Sequence, residues 1–142
     1  MKVIIYTNTS GNVSVCVPTG ELDIQTVLTK DCPSGAIIVD DSTLPQGTDA
    51  QFFDSWKLNG TTVSVDIPTA IAHQTKALNN LAYTEAQHRA AKVGAGLANV
   101  MSDSDWATAL TTARAAVTAS TTTAQLVAAI APIQSAITGN AL

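Results

Sequence analysis

A chain of 142 residues has room for one ordinary domain, or for a small domain and a helical extension. Three lysines oppose eight acidic residues in residues 1–67, and four basic residues oppose three acidic ones in residues 68–142. Neither half has the basic stripe that phosphate contacts require, so nucleic-acid binding is not expected.

Residues 1–17 have the pattern of a β-hairpin. Residues 3–7 are β-branched and aromatic, N-T-S-G-N is a turn, and V-S-V-C-V alternates so that Val13, Val15 and Val17 share one buried face. Because this apolar run belongs to a strand and not to a signal peptide, we expect a soluble protein made in a cytoplasm. No segment reaches the ~20 apolar residues that span a bilayer, so no membrane contact is expected.

A short helix and a further strand follow the hairpin. Residues 21–31 space four apolar side chains as an amphipathic helix does, namely Leu22, Ile24, Val27 and Leu28. Residues 36–39 read as a buried strand. Cys16 and Cys32 lack metal-ligand spacing and are expected to be half-buried thiols in a reducing compartment, with a disulfide between them left open.

The segment F-F-D-S-W-K-L-N-G-T-T-V-S-V predicts a second hairpin around a type I′ turn at Asn59-Gly60. A two-residue loop pairs Leu58 with Thr61, Trp56 with Val63 and Asp54 with Val65. Phe52 and Phe53 are expected to help cover Trp56. The side chains expected to hold this β-rich domain are Phe53, Trp56, Leu58, Val63 and Val65.

Residues 68–142 are rich in Ala and Thr and predict two to three helices. Pro68 suits the first residue of a helix that runs from Thr69 to about residue 100, interrupted by G-A-G at 94–96, with a thin apolar stripe of Ile71, Leu78, Leu81, Ala82 and Ala86. S-D-S-D-W at 102–106 is an N-cap signal, S-T-T-T at 120–123 caps another helix, Pro132 should kink or split it, and Gly139-Asn140 should end it. The apolar residues expected to hold the last two helices, or to contact a partner, are Trp106, Leu110, Val117, Leu126, Ile130 and Ile133. Val127 and Ile137 are the other apolar residues named on the last helix.

These elements predict an α+β fold with two parts, a β-rich mini-domain at residues 1–67 and a helical region at residues 68–142. The mini-domain would contain two hairpins, a short helix and a Trp-centred core. Burial of apolar surface stabilises a fold by roughly 25 cal/mol per Å², and an alanine side chain has little area to bury. Ala-rich helices therefore gain little free energy from packing. We therefore expect the helical region to depend on a partner or on neighbouring copies.

The sequence offers little catalytic chemistry. His73 and His88 lie fifteen residues apart on one predicted helix, over ~20 Å along its axis, and are expected to be solvated. Asp40-Asp41 is expected to cap a turn, and G-A-G lacks the surroundings of a nucleotide-binding motif. We expect no catalytic, metal or cofactor site, and hence no enzyme.

Four strings carry a resemblance to a known group of proteins: M-K-V-I-I-Y-T-N, G-N-V-S-V-C-V-P-T-G-E-L, I-I-V-D-D-S-T-L-P and F-F-D-S-W-K-L-N-G-T-T-V-S-V-D-I. Over residues 1–67 the chain resembles small virion, tail and tail-fibre-assembly proteins of tailed bacteriophages. The almost uncharged second half departs from the charged helix that such assembly proteins tend to carry.

The resemblance implies a non-enzymatic virion component of the tail or tail fibre, made in the cytoplasm of the bacterial host. Such a component docks to other particle proteins and forms homo-oligomers with the symmetry of the particle. A capsid decoration or cement protein is the close alternative. A tail-fibre assembly chaperone that is absent from the mature virion is a second alternative. A carbohydrate-binding module is a third, and it requires Trp56 or Trp106 to be exposed.

Overall fold

The computed structural model describes residues 1–141 and shows an α+β protein in which antiparallel strands and a short helix precede three long helices. The chain divides into two compact units, Met1–Asp66 and Ile67–Leu142, which we call the β unit and the helical unit. The division falls one residue before the boundary drawn from the sequence at Pro68.

A three-stranded antiparallel sheet forms the first half of the β unit. Strands β1 (Lys2–Thr7), β2 (Val13–Cys16) and β3 (Ile37–Asp40) lie in the order β2-β1-β3, so the predicted first hairpin is confirmed and β3 adds to its other edge. Val17 lies beyond the end of β2 and is 55% exposed, so its predicted place on the buried face is wrong. Pro18 follows directly, and a proline restricts the residue before it and cannot donate to a sheet.

Helix α1 (Ile24–Asp31) connects β2 to β3 and begins later than the sequence predicts. The carboxylate of Asp23 accepts the backbone N–H of Gln25 at 3.0 Å, which caps the helix at Asp23. Leu22 therefore precedes the helix and is 52% exposed, so its predicted place in the apolar stripe is wrong.

Strands β4 (Trp56–Asn59) and β5 (Thr62–Val65) form the predicted second hairpin, but in a different register. Trp56 pairs with Val65 and Leu58 with Val63, two positions away from the predicted pairing. Because Asn59 pairs with Thr62, the two residues of the turn are Gly60 and Thr61. Gly60 has φ +62°, and within residues 1–141 only glycines have a positive φ, so the turn is of the type II′ kind and not type I′. A shift of two keeps every side chain on its predicted face.

The core of the β unit joins the hairpin to one face of the sheet. Its buried members are Val3, Ile5, Val13, Trp56 and Val63, and Leu58 and Val65 pack against it half-buried. Asp54 does not pair with Val65, because residues Asp49–Ser55 form a 3-10 helix before β4. A shorter 3-10 helix, Asp41–Thr43, follows β3.

The first long helix, α2 (Ile67–Gly94), ends at the predicted G-A-G break and does not continue to residue 100. The N–H of Gly96 donates to the carbonyl of Val93 at 3.1 Å and the N–H of Leu97 to that of Lys92 at 2.8 Å, while Gly96 has φ +71°. These two hydrogen bonds and the left-handed glycine are a Schellman motif, which satisfies the last carbonyls of the helix.

Helices α3 (Asp103–Ala119) and α4 (Thr123–Asn140) start at the predicted caps. The Ser102 and Thr122 hydroxyls accept the backbone N–H groups of Asp105 and Gln125. Helix α4 runs through Pro132 as one helix, so the predicted split does not occur. Val127 is 37% exposed and lies off the buried stripe of α4.

Each of the three long helices packs against the other two. Their buried apolar side chains are Ala70, Leu78, Trp106, Ala113, Val117, Leu126, Ala129, Ile130, Ile133 and Ile137. Of the stripe predicted on α2, Leu78 is buried, Ile71, Leu81 and Ala82 are half-buried, and Ala86 is exposed. Among the helices within residues 1–141, none has both the length and the apolar character needed to cross a membrane.

Candidate functional site

A buried polar cluster lies where α2 ends, α3 begins and α4 ends. It consists of Glu85, Arg89, Lys92 and Asn140, which are 1%, 9%, 7% and 0% exposed. The first three residues repeat at spacings of four and three along α2, on the same side as Leu78, so they occupy positions where a helix normally presents apolar side chains. Charged side chains are seldom buried without partners, and each of these has one.

Asn140 is the centre of this cluster and uses its full hydrogen-bonding capacity. Its Nδ2 donates to Glu85 Oε1 at 2.7 Å and to Asn99 Oδ1 at 3.2 Å. Its Oδ1 accepts from Lys92 Nζ and from the backbone N–H of Val100, both at 3.0 Å. An amide side chain offers two donors and two lone pairs, so this residue fastens the end of α4 to α2 and to the loop after it.

Arg89 binds the end of the same loop and the start of α3. Its Nη1 donates to the carbonyl of Met101 at 3.0 Å and to Asp103 Oδ1 at 2.6 Å. Its Nε lies 2.9 Å from Glu85 Oε1 in an ion pair without hydrogen-bond alignment, and its guanidinium lies 5.5 Å from the centre of the Trp106 ring. One side chain thus holds the last turns of α2 against the start of α3 through charge, hydrogen bonds and a cation–π contact.

His88 is not the solvated surface residue expected from the sequence. Its side chain is 32% exposed, and its Nδ1 lies 3.7 Å from Glu85 Oε2. Neither of these two atoms has a hydrogen-bond partner within residues 1–141. His73 is exposed and lies fifteen residues earlier on α2, so the two histidines are separated along the helix.

The last turn of α2 and the loop held by this cluster expose apolar side chains. Val93, Leu97 and Val100 are 69%, 52% and 74% exposed, and we call these three residues the apolar tip. The Schellman motif fixes the chain at Leu97, and Asn140 binds the backbone of Val100. The arrangement can therefore present apolar surface from an ordered loop, a property of binding surfaces.

The residues singled out in the β unit lie mainly inside it. Trp56 and Val63 are buried, and Leu58 and Val65 are half-buried in the same core. Phe53 is 43% exposed, and its ring centre lies 4.9 Å from that of Trp56. Phe53 therefore covers Trp56 from the surface.

The residues singled out in the helical unit also lie mainly inside it. Five are buried, namely Trp106, Val117, Leu126, Ile130 and Ile133, and Leu110 is half-buried. With Trp56 5% and Trp106 9% exposed, neither indole offers the open face that a carbohydrate platform needs. These residues thus belong to the cores of the two units.

Sequence reasoning missed the polar cluster. Glu85, Arg89 and Lys92 carry a signal, because they continue the spacing of Leu78 along α2 at positions that an amphipathic helix normally fills with apolar side chains. Asn140 carries none, since it also suits the end of a helix.

Asp40 and Asp41 leave β3 as a capped turn. Asp40 Oδ1 accepts the hydroxyl of Ser42 at 2.8 Å and its backbone N–H at 3.2 Å, and these bonds lower the pKa of Asp40 to about 2. Within residues 1–141 no three His, Cys, Asp or Glu side chains are grouped so that they could hold a metal ion.

The capped Asp40 should make the stability of the β unit depend on acid pH. Its folded pKa of about 2 lies below the ordinary value of about 3.9, so its contribution is present above about pH 4 and is lost as the pH falls through about 2. We expect the Asp40→Asn variant to lose less stability than the wild type as the pH falls from about 4 to about 2, as measured by urea unfolding. Ser42→Ala, which removes only the hydroxyl donor, should give a smaller change in the same direction. Equal pH profiles for Asp40→Asn and the wild type would contradict this assignment.

Comparisons with protein-family models, with curated proteins and with solved structures give no match.

Proposed function

We propose that this chain is a non-enzymatic structural protein of a tailed bacteriophage particle, associated with the tail or tail fibre, where it docks to other particle proteins. The resemblance of residues 1–67 to small phage virion and tail proteins suggests the setting. The observation that carries the docking role is the apolar tip, a set of exposed aliphatic side chains at the end of α2 and on the loop after it, whose backbone is held by buried charged and amide groups.

A loop that is already ordered binds a partner at a lower entropic cost than a flexible loop does. Association costs the freedom of every segment that becomes ordered, about 0.5–1.5 kcal/mol per immobilised side chain. The contacts from Arg89 and Asn140 order the loop before any partner arrives. Burial of each aliphatic side chain of the tip can then contribute about 1.5–3 kcal/mol to the complex.

The test of this proposal is quantitative peptide mass spectrometry on purified virions of the source phage, with copies counted against the major capsid protein. We expect stoichiometric copies in numbers that fit a tail or fibre symmetry. A count in the hundreds would favour the capsid decoration role. Absence from particles, together with presence in infected cells, would overturn the proposal in favour of an assembly chaperone.

A variant extends this test to the apolar tip. Virions assembled with Val100→Glu should contain at least about tenfold fewer copies, because the loss of a buried aliphatic contact is worth more than the 1.4 kcal/mol of a tenfold change in affinity. Tyr83→Glu is the matched control, since Tyr83 is 68% exposed on α2 and lies outside the tip. Both variants should melt within a few degrees of the wild type, as surface substitutions do. Equal incorporation of the two variants would remove the tip from the docking surface.

A further inference from the structure

The sheet register places Cys16 on the side of the sheet away from the Trp56 core. Cys16 is the direct partner of Ile4, and directly paired residues of antiparallel strands point to the same face. Val3 and Ile5 belong to the core with Trp56, so Ile4, which is fully buried between them in sequence, points the opposite way. Cys16 therefore shares the face of Ile4.

Helix α1 brings the second cysteine to the same place. The helix packs against β1, and Cys32 follows its last residue as the C-cap. Both cysteines are half-buried free thiols, and Cys16 lies near enough to Cys32 to help raise the pKa of its thiol. The fold thus places near each other two thiols that lie sixteen residues apart in the sequence.

We propose that Cys16 and Cys32 are a redox pair that closes into an intramolecular disulfide between β2 and the end of α1. Helix α1 has no fully buried side chain, so apolar packing alone holds it weakly to the sheet. A cross-link at its C-terminal end would fasten it there and would also restrict the unfolded chain.

The reaction needs an external oxidant, and a small disulfide such as oxidised glutathione serves. The Cys16 thiolate attacks one sulfur of the oxidant, which forms a mixed disulfide and releases one glutathione. The Cys32 thiolate then attacks Cys16 Sγ, which forms the internal bond and releases a second glutathione. Two protein thiols are oxidised by two electrons, and their two protons end on the two glutathione thiols.

The pKa of Cys32 affects the rate of the closing step. Burial raises this pKa, and the neighbouring Cys16 raises it further, so the thiol form of Cys32 persists to higher pH than usual. Closure from the mixed disulfide should accordingly become faster as the pH rises.

If the proposed virion role holds, the pair would stay reduced during synthesis in the cytoplasm and would close after release of the particle. Only this timing rests on the proposed function, because the chemistry of the pair does not depend on it.

The test uses the purified, reduced full-length protein and oxidised glutathione at mildly alkaline pH, followed by alkylation in denaturant and intact mass spectrometry. We expect a monomer that has lost two hydrogen atoms, with no free thiol and no glutathione adduct. Its thermal midpoint should rise by roughly 5–15 °C. Cys16→Ser and Cys32→Ser are the matched controls, and each should hold one glutathione and show no such rise.

Two stable glutathione adducts on the wild type, or disulfide-linked dimers, would overturn the proposal. A disulfide that forms but lowers the midpoint would also overturn it, because the folded geometry would then not accommodate the bond. None of these results bears on whether the protein is present in virions, so this inference and the proposed function fail separately.

Discussion

Replacement of Asn140 by alanine should destabilise the helical unit by about 2–4 kcal/mol. The substitution removes four hydrogen bonds at once and leaves Glu85, Lys92 and the N–H of Val100 without their amide partner. Asn140 is fully buried, so water does not simply take its place. Urea unfolding followed by far-UV circular dichroism measures the loss, since most of the helix lies in this unit.

Gln134→Ala is the matched control for this substitution. Gln134 is exposed on the same helix, α4, and its replacement should change stability by less than about 0.5 kcal/mol. Hydrogen exchange provides a second readout, because the amide of Val100 should lose its protection in Asn140→Ala and keep it in Gln134→Ala. A loss below about 1 kcal/mol for Asn140→Ala would show that the cluster adds little net stability.

Trp56→Ala should cost the β unit about 3–5 kcal/mol. The indole is 5% exposed, it joins the hairpin to Val3 and Ile5 of the sheet, and its Nε1 donates to the carbonyl of Asp49 at 3.0 Å. Truncation therefore opens a large cavity and also releases the 3-10 helix before β4. Hydrogen exchange of the β1 amides, read at the level of global opening of this unit, measures the change.

Trp56→Phe separates packing from the hydrogen bond at this position. It keeps an aromatic ring against the sheet and removes the donor to Asp49, so its loss should be about 1–2 kcal/mol. If Trp56→Ala left the β1 amides as protected as in the wild type, the indole would not be a core residue. Such a result, together with quenching of the Trp56 fluorescence of the wild type by a sugar, would support a carbohydrate-binding module instead.

The buried cluster of the helical unit bears on specificity as well as on stability. A buried ion pair is costly to desolvate, and apolar residues in its place are often as stabilising. Glu85, Arg89 and Lys92 do what apolar side chains cannot, because they bind particular groups on α4, on the loop and on α3. We therefore expect the cluster to favour one arrangement of these three helices over others.

In the second hairpin the predicted register is wrong, but the predicted faces of the two strands are right. The dipeptide Asn59-Gly60 predicts a type I′ turn, but Asn59 does not take a positive φ, and the turn moves on to Gly60 and Thr61. The alternation of side chains has a period of two, so a shift of two kept Trp56 on the core face.

The sequence by itself determined the order and type of the strands and long helices, the caps at Ser102 and Thr122 and the break at Gly94 to Gly96. These features depend on groups within a few residues of each other, which the linear order displays. Tertiary structure alone decided the pairing of β3 with β1, the placement of Cys32 near Cys16, and the burial of Glu85 and Lys92 around Asn140. The last of these joins residues 48 to 55 positions apart, and a charged side chain becomes a core residue only when its distant partner is in place.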